Sequence, residues 1–365
     1  MKKQIFLLTL FSFLWQSYGC ESVLKIDAAD DKILVTGRHV ALNSGAIQFA
    51  ASGVALETVF KGSQIDAFII DTLSPGSDHH WFRVIVDGND LGRFRTQSDT
   101  FEYRLAENLT KDEHHLQLVH ETEGINGRIE IKAFIAGEFL KSPERPEKTI
   151  AFYGDSITSG FGLTQEDSLC GEGNWYDHHS AWKSYGARVS RNFDAGWILN
   201  SISGIGITRS WSAESPDMLQ TWNHTFMNSS DSTELWDFSG AKADLLVISL
   251  GTNDFSDGDG QMPRKSPDKI DFIESYIRLV ENITSMYPGI PVLISDSPML
   301  DGEKRDKLRN WLDEIKSRLN KKGIEAEIHQ YSTTMIEGCS QHPGEENHST
   351  MAKEMNSTIE KWLEW

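Results

Sequence analysis

A chain of 365 residues is long enough for two domains that each bury a core, and a single domain of that size would be unusual. Its 35 Lys and Arg against 54 Asp and Glu give a formal charge of −19, which repels phosphate backbones and anionic membrane surfaces and excludes nucleic acid as a partner. The 39% hydrophobic and 24% charged residues exclude intrinsic disorder as the main state.

Residues 1–19 read as a secretory signal: Met1-Lys2-Lys3, an apolar run from Ile5 to Trp15, then Ser17-Tyr18-Gly19. The run is too short to span a bilayer, and no later stretch approaches that length, so no integral membrane segment is expected. The chain is therefore expected to be exported: secreted, periplasmic, or tethered at an outer surface. Cys20, directly after the small residues, resembles a lipoprotein acceptor cysteine, although Ser17 stands where leucine is usual; both a free and a lipid-anchored chain stay open. Of the other two cysteines, Cys170 and Cys339, export favours a pair, with two separate buried thiols as the alternative.

Residues 21–140 show short alternating segments, such as Ile129 to Ile135 and His115 to His120, and a hairpin through Asp87-Gly88-Asn89-Asp90. That pattern predicts an all-β sandwich. The polar, twice proline-broken Lys141 to Glu147 belongs to a linker over 141–148.

From 149 to 365 apolar strands alternate with amphipathic helices. Strands are predicted at Thr149–Tyr153, Trp197–Ile202, Leu245–Leu250, Ile290–Ile294 and Ile324–His329, and helices at Ala181–Phe193, Pro267–Met286, Gly302–Lys321 and Ser349–Trp365. In the second helix Ile270, Ile273, Ile277, Val280 and Ile283 form an apolar stripe expected to face the core. The alternation implies a mostly parallel sheet with helices on both faces, with ligands bound beyond the carboxyl ends of its strands.

The chemistry is sought there. Thr149–Tyr153 runs into Gly154-Asp155-Ser156, whose serine would sit at the start of a helix with free N–H groups and a positive dipole end before it. The nucleophile-elbow pattern G-x-S-x-G occurs nowhere, so a different hydrolase scaffold is needed. Ser203-Gly204-Ile205-Gly206 and Gly251-Thr252-Asn253-Asp254 each follow a strand. The N–H groups of Ser156 and Gly204 and the Asn253 amide can together form a three-donor oxyanion hole. His342, followed by Pro343 in an extended loop, can act as general base and then acid, whereas His348, nearer the last helix, is read as a packed residue. No Cys/His grouping has zinc spacing, Asp78-His79-His80 and Asp177-His178-His179 are read as solvated loops, and neither metal nor cofactor is expected.

Gly-Asp-Ser, Gly, Gly-x-Asn-Asp and a late His-Pro in this order resemble the SGNH (GDSL-type) hydrolase superfamily, whose named residues would fall on Ser156, Gly204, Asn253 and His342. More narrowly, the chain resembles carbohydrate esterase family 2. The resemblance rests on Thr36-Gly37-Arg38-His39, Ala51-Ser52-Gly53-Val54, Ile85 to Gly88, His120-Glu121-Thr122-Glu123 and Gly338-Cys339-Ser340-Gln341-His342-Pro343. It implies a jelly-roll domain before a flavodoxin-like three-layer SGNH domain, removal of acetyl groups from plant polysaccharides, and a similar placement of Cys170 and Cys339. A pairing of those two would fix the His342 loop.

Two positions depart from the family's pattern. Where family members with a full triad carry an aspartate two residues before the histidine, often with an aromatic residue between, this chain has Ser340 and Gln341. The expectation is a Ser156–His342 dyad with a backbone carbonyl of residues 338–340 orienting the ring, ahead of Glu337 or Glu345 as substitute acids. The substrate expected is acetylated xylan or glucomannan. The alternatives are an SGNH lipase or esterase on other small esters, and a non-catalytic carbohydrate-binding protein. Trp175 and Trp211 are candidate sugar platforms, with core packing the favoured reading for each.

Overall fold

In a computed structural model the described residues are 23–99, 101–213, 216–227, 234–260 and 264–365. The expected signal, residues 1–19, and Cys20 lie outside them. Among the described residues no helix is long and apolar enough to cross a membrane.

The first half is an antiparallel β-sandwich. Its strands are β1 (Leu24–Asp27), β2 (Leu34–Thr36), β3 (His39–Ala41), β4 (Ile47–Phe49), β5 (Ala55–Leu73), β6 (Trp81–Val86), β7 (Asn89–Arg95), β8 (Glu102–Ala106), β9 (Glu113–His120) and β10 (Gly127–Phe139). The two long strands, β5 and β10, pair along most of their length, with a register shift between Ile131 and Ala133 that bends the sheet. Phe49, Phe60, Ile69, Phe82, Leu116, Leu118 and Phe134, on alternate positions of their strands, fill the space between the layers. The β6–β7 turn has Asp87 and Gly88 at φ of 54° and 76°, the left-handed pair that a two-residue hairpin requires.

The second half carries a five-stranded parallel sheet of β11 (Thr149–Gly154), β12 (Gly196–Ser201), β13 (Leu245–Ser249), β14 (Val292–Ser295) and β15 (Ala326–His329), in the order β12-β11-β13-β14-β15. Between and after them lie α1 (Ser156–Ser159), α2 (Tyr185–Asn192), α3 (Met218–Thr221), α4 (Thr252–Phe255), α5 (Lys269–Met286), α6 (Gly302–Lys321) and α7 (Glu345–Leu363). Strand alternation sorts the layers. Ala151, Tyr153, Leu246 and Ile248 face α5 and α6, while Ile150, Phe152, Leu245 and Val247 face α2 and α7.

Boundaries differ from the sequence reading where a cap decides. Helix α2 starts at Tyr185 rather than Ala181, because Ser180 and the Trp182 N–H are bound to the Glu121 carboxylate instead. Helix α7 starts four residues early, at Glu345, where the Asn347 side chain accepts from the Gly344 N–H at 2.9 Å. In α5 the expected stripe loses Ile270, which is 73% exposed on the first turn; Phe272, Tyr276 and Leu279 join Ile273, Ile277, Val280 and Ile283 in the core.

Edge strand β12 is covered by the sandwich. Gly53, at φ 71°, passes so close that a Cβ there would lie 2.8 Å from a Leu199 methyl, and its carbonyl accepts from Trp197 Nε1 at 2.8 Å. Ser52 Oγ meets Ser201 Oγ at 3.2 Å. Arg38, fully buried, reaches from the sandwich to Asn200 Oδ1 at 2.9 Å, the Trp222 carbonyl at 3.0 Å and the Tyr153 hydroxyl at 3.2 Å, under the Trp236 ring. The two Asp-His-His clusters are not solvated loops. His79, His80, His178 and His179 are buried, and His79 Nε2 lies 2.6 Å from Asp177 Oδ1, so the clusters pair with one another across the domain boundary. Among the described residues no group of three or more His, Cys, Asp or Glu is arranged to hold a metal ion.

Candidate active site

Strand β11 ends at Gly154, and Asp155 turns the chain by accepting the Ile157 N–H at 3.0 Å, which leaves Ser156 as the first residue of α1. The helix is one turn long, so its dipole is weak and the individual N–H groups carry the electrostatics; this corrects the expected dipole end. Among the described residues the N–H groups of Ser156 and Gly204 have no acceptor.

The loop before α7 brings His342 to the serine. His342 Nε2 lies 2.9 Å from Ser156 Oγ, and Nδ1 donates to the Ser340 carbonyl at 3.0 Å. With the Nδ1 proton held there, Nε2 is the free base. Burial pushes His342 down to about 4, partly offset by the Ser340 carbonyl. Glu337 binds the Ile336 N–H and Glu345 binds Lys183 and Arg188, so neither carboxylate is on the histidine.

Three devices hold this loop. The Gly338 N–H donates to the His342 carbonyl at 2.7 Å, and the Cys339 N–H to the Gly162 carbonyl at 2.8 Å. Gly162, at φ 69°, leaves room that a Cβ would take from the Cys339 carbonyl and, at 3.0 Å, from His342 Cβ. A disulfide joins Cys339 to Cys170, with Cα atoms 5.1 Å apart. Beneath the imidazole lies Phe161, ring centres 4.2 Å apart, and Trp175 stacks on Phe161 at 5.5 Å. Trp175 and Trp211 are both exposed, against the expectation of core packing.

Asn253, on α4, donates to the Ile205 carbonyl at 2.8 Å and faces Asp155 Oδ2 at 3.3 Å. Burial raises Asp155 to about 7, and it also raises Asp254, which accepts from the Ile207 and Thr208 N–H groups and shapes the loop after Gly204. His348 is fully buried and accepts the Tyr185 N–H at 3.0 Å, the packed role read for it. Sequence reasoning gave no role to Phe161, His179, Glu121 and Glu123. Glu121 and Glu123 carried a signal as part of a motif in the sandwich, and His179 as part of a cluster read as a solvated loop.

A parallel α/β sheet with a serine just beyond the carboxyl end of β11, an inner strand, and a histidine delivered from before the last helix, joined to a β-sandwich, defines a two-domain SGNH-type hydrolase. The "GDSL-like Lipase/Acylhydrolase family" matches residues 152–342 and "Carbohydrate esterase 2 N-terminal" matches residues 35–143. The chain belongs to the GDSL-like lipase/acylhydrolase family, carries the N-terminal domain of carbohydrate esterase family 2, and is a carboxylic ester hydrolase. An acetylxylan esterase / glucomannan deacetylase of Cellvibrio japonicus is 25% identical, covering 99% of this chain and 98% of that one. A family two carbohydrate esterase from Clostridium thermocellum, solved with cellohexaose, is 29% identical with a TM-score of 0.80, covering 91% of this chain and 99% of that one. The fold is shared equally by a family two esterase structure from Cellvibrio japonicus, at 24% identity and a TM-score of 0.83, covering 94% and 99%.

Proposed function

We propose that this protein is an exported esterase that removes O-acetyl groups from acetylated xylan or glucomannan through Ser156, His342 and an acyl-enzyme. The observation that carries the reading is the 2.9 Å contact between His342 Nε2 and Ser156 Oγ, with the ring oriented by the Ser340 carbonyl. Ser156 Oγ attacks the acetyl carbonyl as its proton passes to Nε2, and as the acyl C–O bond breaks the imidazolium gives that proton to the departing sugar oxygen, which leaves as a hydroxyl. Water, activated by the same nitrogen, then releases acetate. The N–H groups of Ser156 and Gly204 and the Asn253 amide serve the oxyanion; the amide is oriented by its 2.8 Å bond to the Ile205 carbonyl, and its second N–H exchanges the longer, 3.3 Å bond to Asp155 Oδ2 for one to the oxyanion. The exposed Trp175 and Trp211 suit sugar rings. The Cys170–Cys339 bridge suits an oxidising compartment, and Cys20 is the residue a lipid anchor would use.

Acetate release from acetylated xylan and glucomannan tests the reading. Wild type should release acetate and Ser156→Ala should not, while Asn253→Ala should lose roughly 100- to 1000-fold in turnover with the fold intact. Faster cleavage of long-chain than of acetyl nitrophenyl esters would replace the polysaccharide reading with a lipase-like one.

A further inference from the structure

Glu123 belongs to the sandwich, yet its side chain ends in the hydrolase domain. It is fully buried, and among the described residues the partners of its carboxylate come from the other domain: the Ser203 N–H at 2.6 Å, the Ser203 hydroxyl, and His179 Nε2 at 3.0 Å. Three donors converge on one carboxylate in a buried interface, an arrangement that keeps the carboxylate satisfied and leaves its donors little freedom. What it grips is significant, because Ser203 immediately precedes Gly204, whose N–H has no acceptor among the described residues. Holding the Ser203 N–H fixes the peptide before Ser203, and holding its hydroxyl fixes the side chain on the same Cα, so the next peptide, which carries the Gly204 N–H, starts from a clamped residue. The same carboxylate holds His179, whose ring packs edge-on to Phe161 at 5.0 Å, and Phe161 underlies His342.

Its neighbour works differently. Glu121, also fully buried, binds Arg83 at 2.6 Å, the Ser180 hydroxyl at 3.0 Å and the Trp182 N–H at 2.9 Å, so it fastens the segment before α2 and touches neither catalytic loop. One carboxylate docks the domains; the other sits directly behind the loop that offers the Gly204 N–H.

We propose that Glu123 is a positioning residue for ester hydrolysis, in which the sandwich reaches across the domain boundary and sets the Ser203–Gly204 turn so that the Gly204 N–H meets the oxyanion. The proposal rests on the serine-esterase reading above. Accurate placement of an oxyanion donor matters in the transition state and little in the ground state, so its loss lowers kcat while leaving KM nearly unchanged. A residue that only glues two domains together would alter the folded fraction and leave the turnover of folded enzyme alone.

The experiment measures kcat and KM for 4-nitrophenyl acetate on full-length wild type, Glu123→Gln and Ser203→Ala, each normalised to folded protein by near-UV circular dichroism. Glu123→Gln replaces one acceptor oxygen with a donor facing donors, and is expected to lose at least tenfold in kcat with KM within about threefold. Ser203→Ala keeps Glu123 and its hydrogen bond to His179 and removes only the hydroxyl clamp; it is expected to lose about three- to tenfold in kcat with KM unchanged. Wild-type kcat in folded Glu123→Gln overturns the proposal. If that variant does not fold, wild-type kcat in Ser203→Ala overturns it instead. Absence of esterase activity in wild type sinks the serine-esterase reading itself, which keeps the two failures apart.

Discussion

Ser340 and Gln341 both hold left-handed backbone, at φ of 55° and 57°, a region that costs a residue with a side chain about 1–2 kcal/mol. The strain falls where the family's carboxylate and aromatic residue are missing, and in this turn the Ser340 carbonyl reaches His342 Nδ1. Because the main chain supplies the acceptor, the Ser340 side chain should be dispensable. Ser340→Ala is expected to stay within about tenfold of wild-type turnover, under ~1.4 kcal/mol in barrier, whereas His342→Ala falls to background. If Glu337→Gln or Glu345→Gln instead cost roughly three orders of magnitude, a carboxylate completes the triad after all. The same ring sets the acid limit. Its pKa is depressed to about 4 by burial, so the neutral base persists well below the usual histidine range. The acid limb of kcat/KM is expected near pH 4, and a limb between pH 6 and 7 would show that the free histidine titrates normally.

At the scale of elements, the serine, glycine, asparagine and histidine loops were legible because each is a short local pattern placed after a strand or before a helix. What their partners do was not, since a contact between distant segments leaves no periodicity. His79 and Asp177 read as two polar loops, and only the docked domains reveal that they pair. Arg38 and Glu123 stood in motifs of the sandwich whose function lies in the other domain. Arg38 tests this directly: it satisfies the Asn200 Oδ1, Tyr153 hydroxyl and Trp222 carbonyl oxygens in a buried site. Arg38→Met, similar in reach, strands those acceptors at ~1–3 kcal/mol each, so urea denaturation should show at least ~3 kcal/mol lost. A loss under ~1 kcal/mol would mean that the domains hold together without it. The disulfide is a second element-scale restraint, closing a sequence separation of 169 residues onto the His342 loop. Replacing both cysteines with serine should cost ~2–4 kcal/mol of stability. Two titratable thiols in the unfolded, unreduced wild type, with Cys20 excluded, would show that the bridge does not form.

The molecule as a whole buries many groups in the protonation state that water would not choose. His39, His80, His120, His329, His342 and His348 are all held below the ordinary histidine value, with burial the largest cause for each, and His120 and His329 lie at about 4. As pH falls from about 6.5 toward 4, these sites take up protons in the unfolded chain before they do in the native one, and stability is lost. Asp71, Asp155, Asp217 and Asp254 are raised by burial and act in the opposite sense: they hold protons in the native state, stabilise at low pH, and give that stability up as pH rises through their native values, about 6 for Asp71 and about 7 for Asp155. The two sets overlap in one window, and the histidines are more numerous. The net prediction is proton uptake on unfolding between pH 6.5 and 4, with stability falling by about 1.4 kcal/mol per pH unit for each net proton. Glu166, drawn down to about 2 with Arg83 as its main ionic partner, adds to the loss only as pH drops below its unfolded value near 4.5. Denaturant melts at pH 7, 6, 5 and 4.5 should therefore show decreasing stability over a range where kcat/KM stays level, because His342 keeps its neutral form there. Stability that holds or rises toward pH 5 would show that the buried aspartates outweigh the histidines.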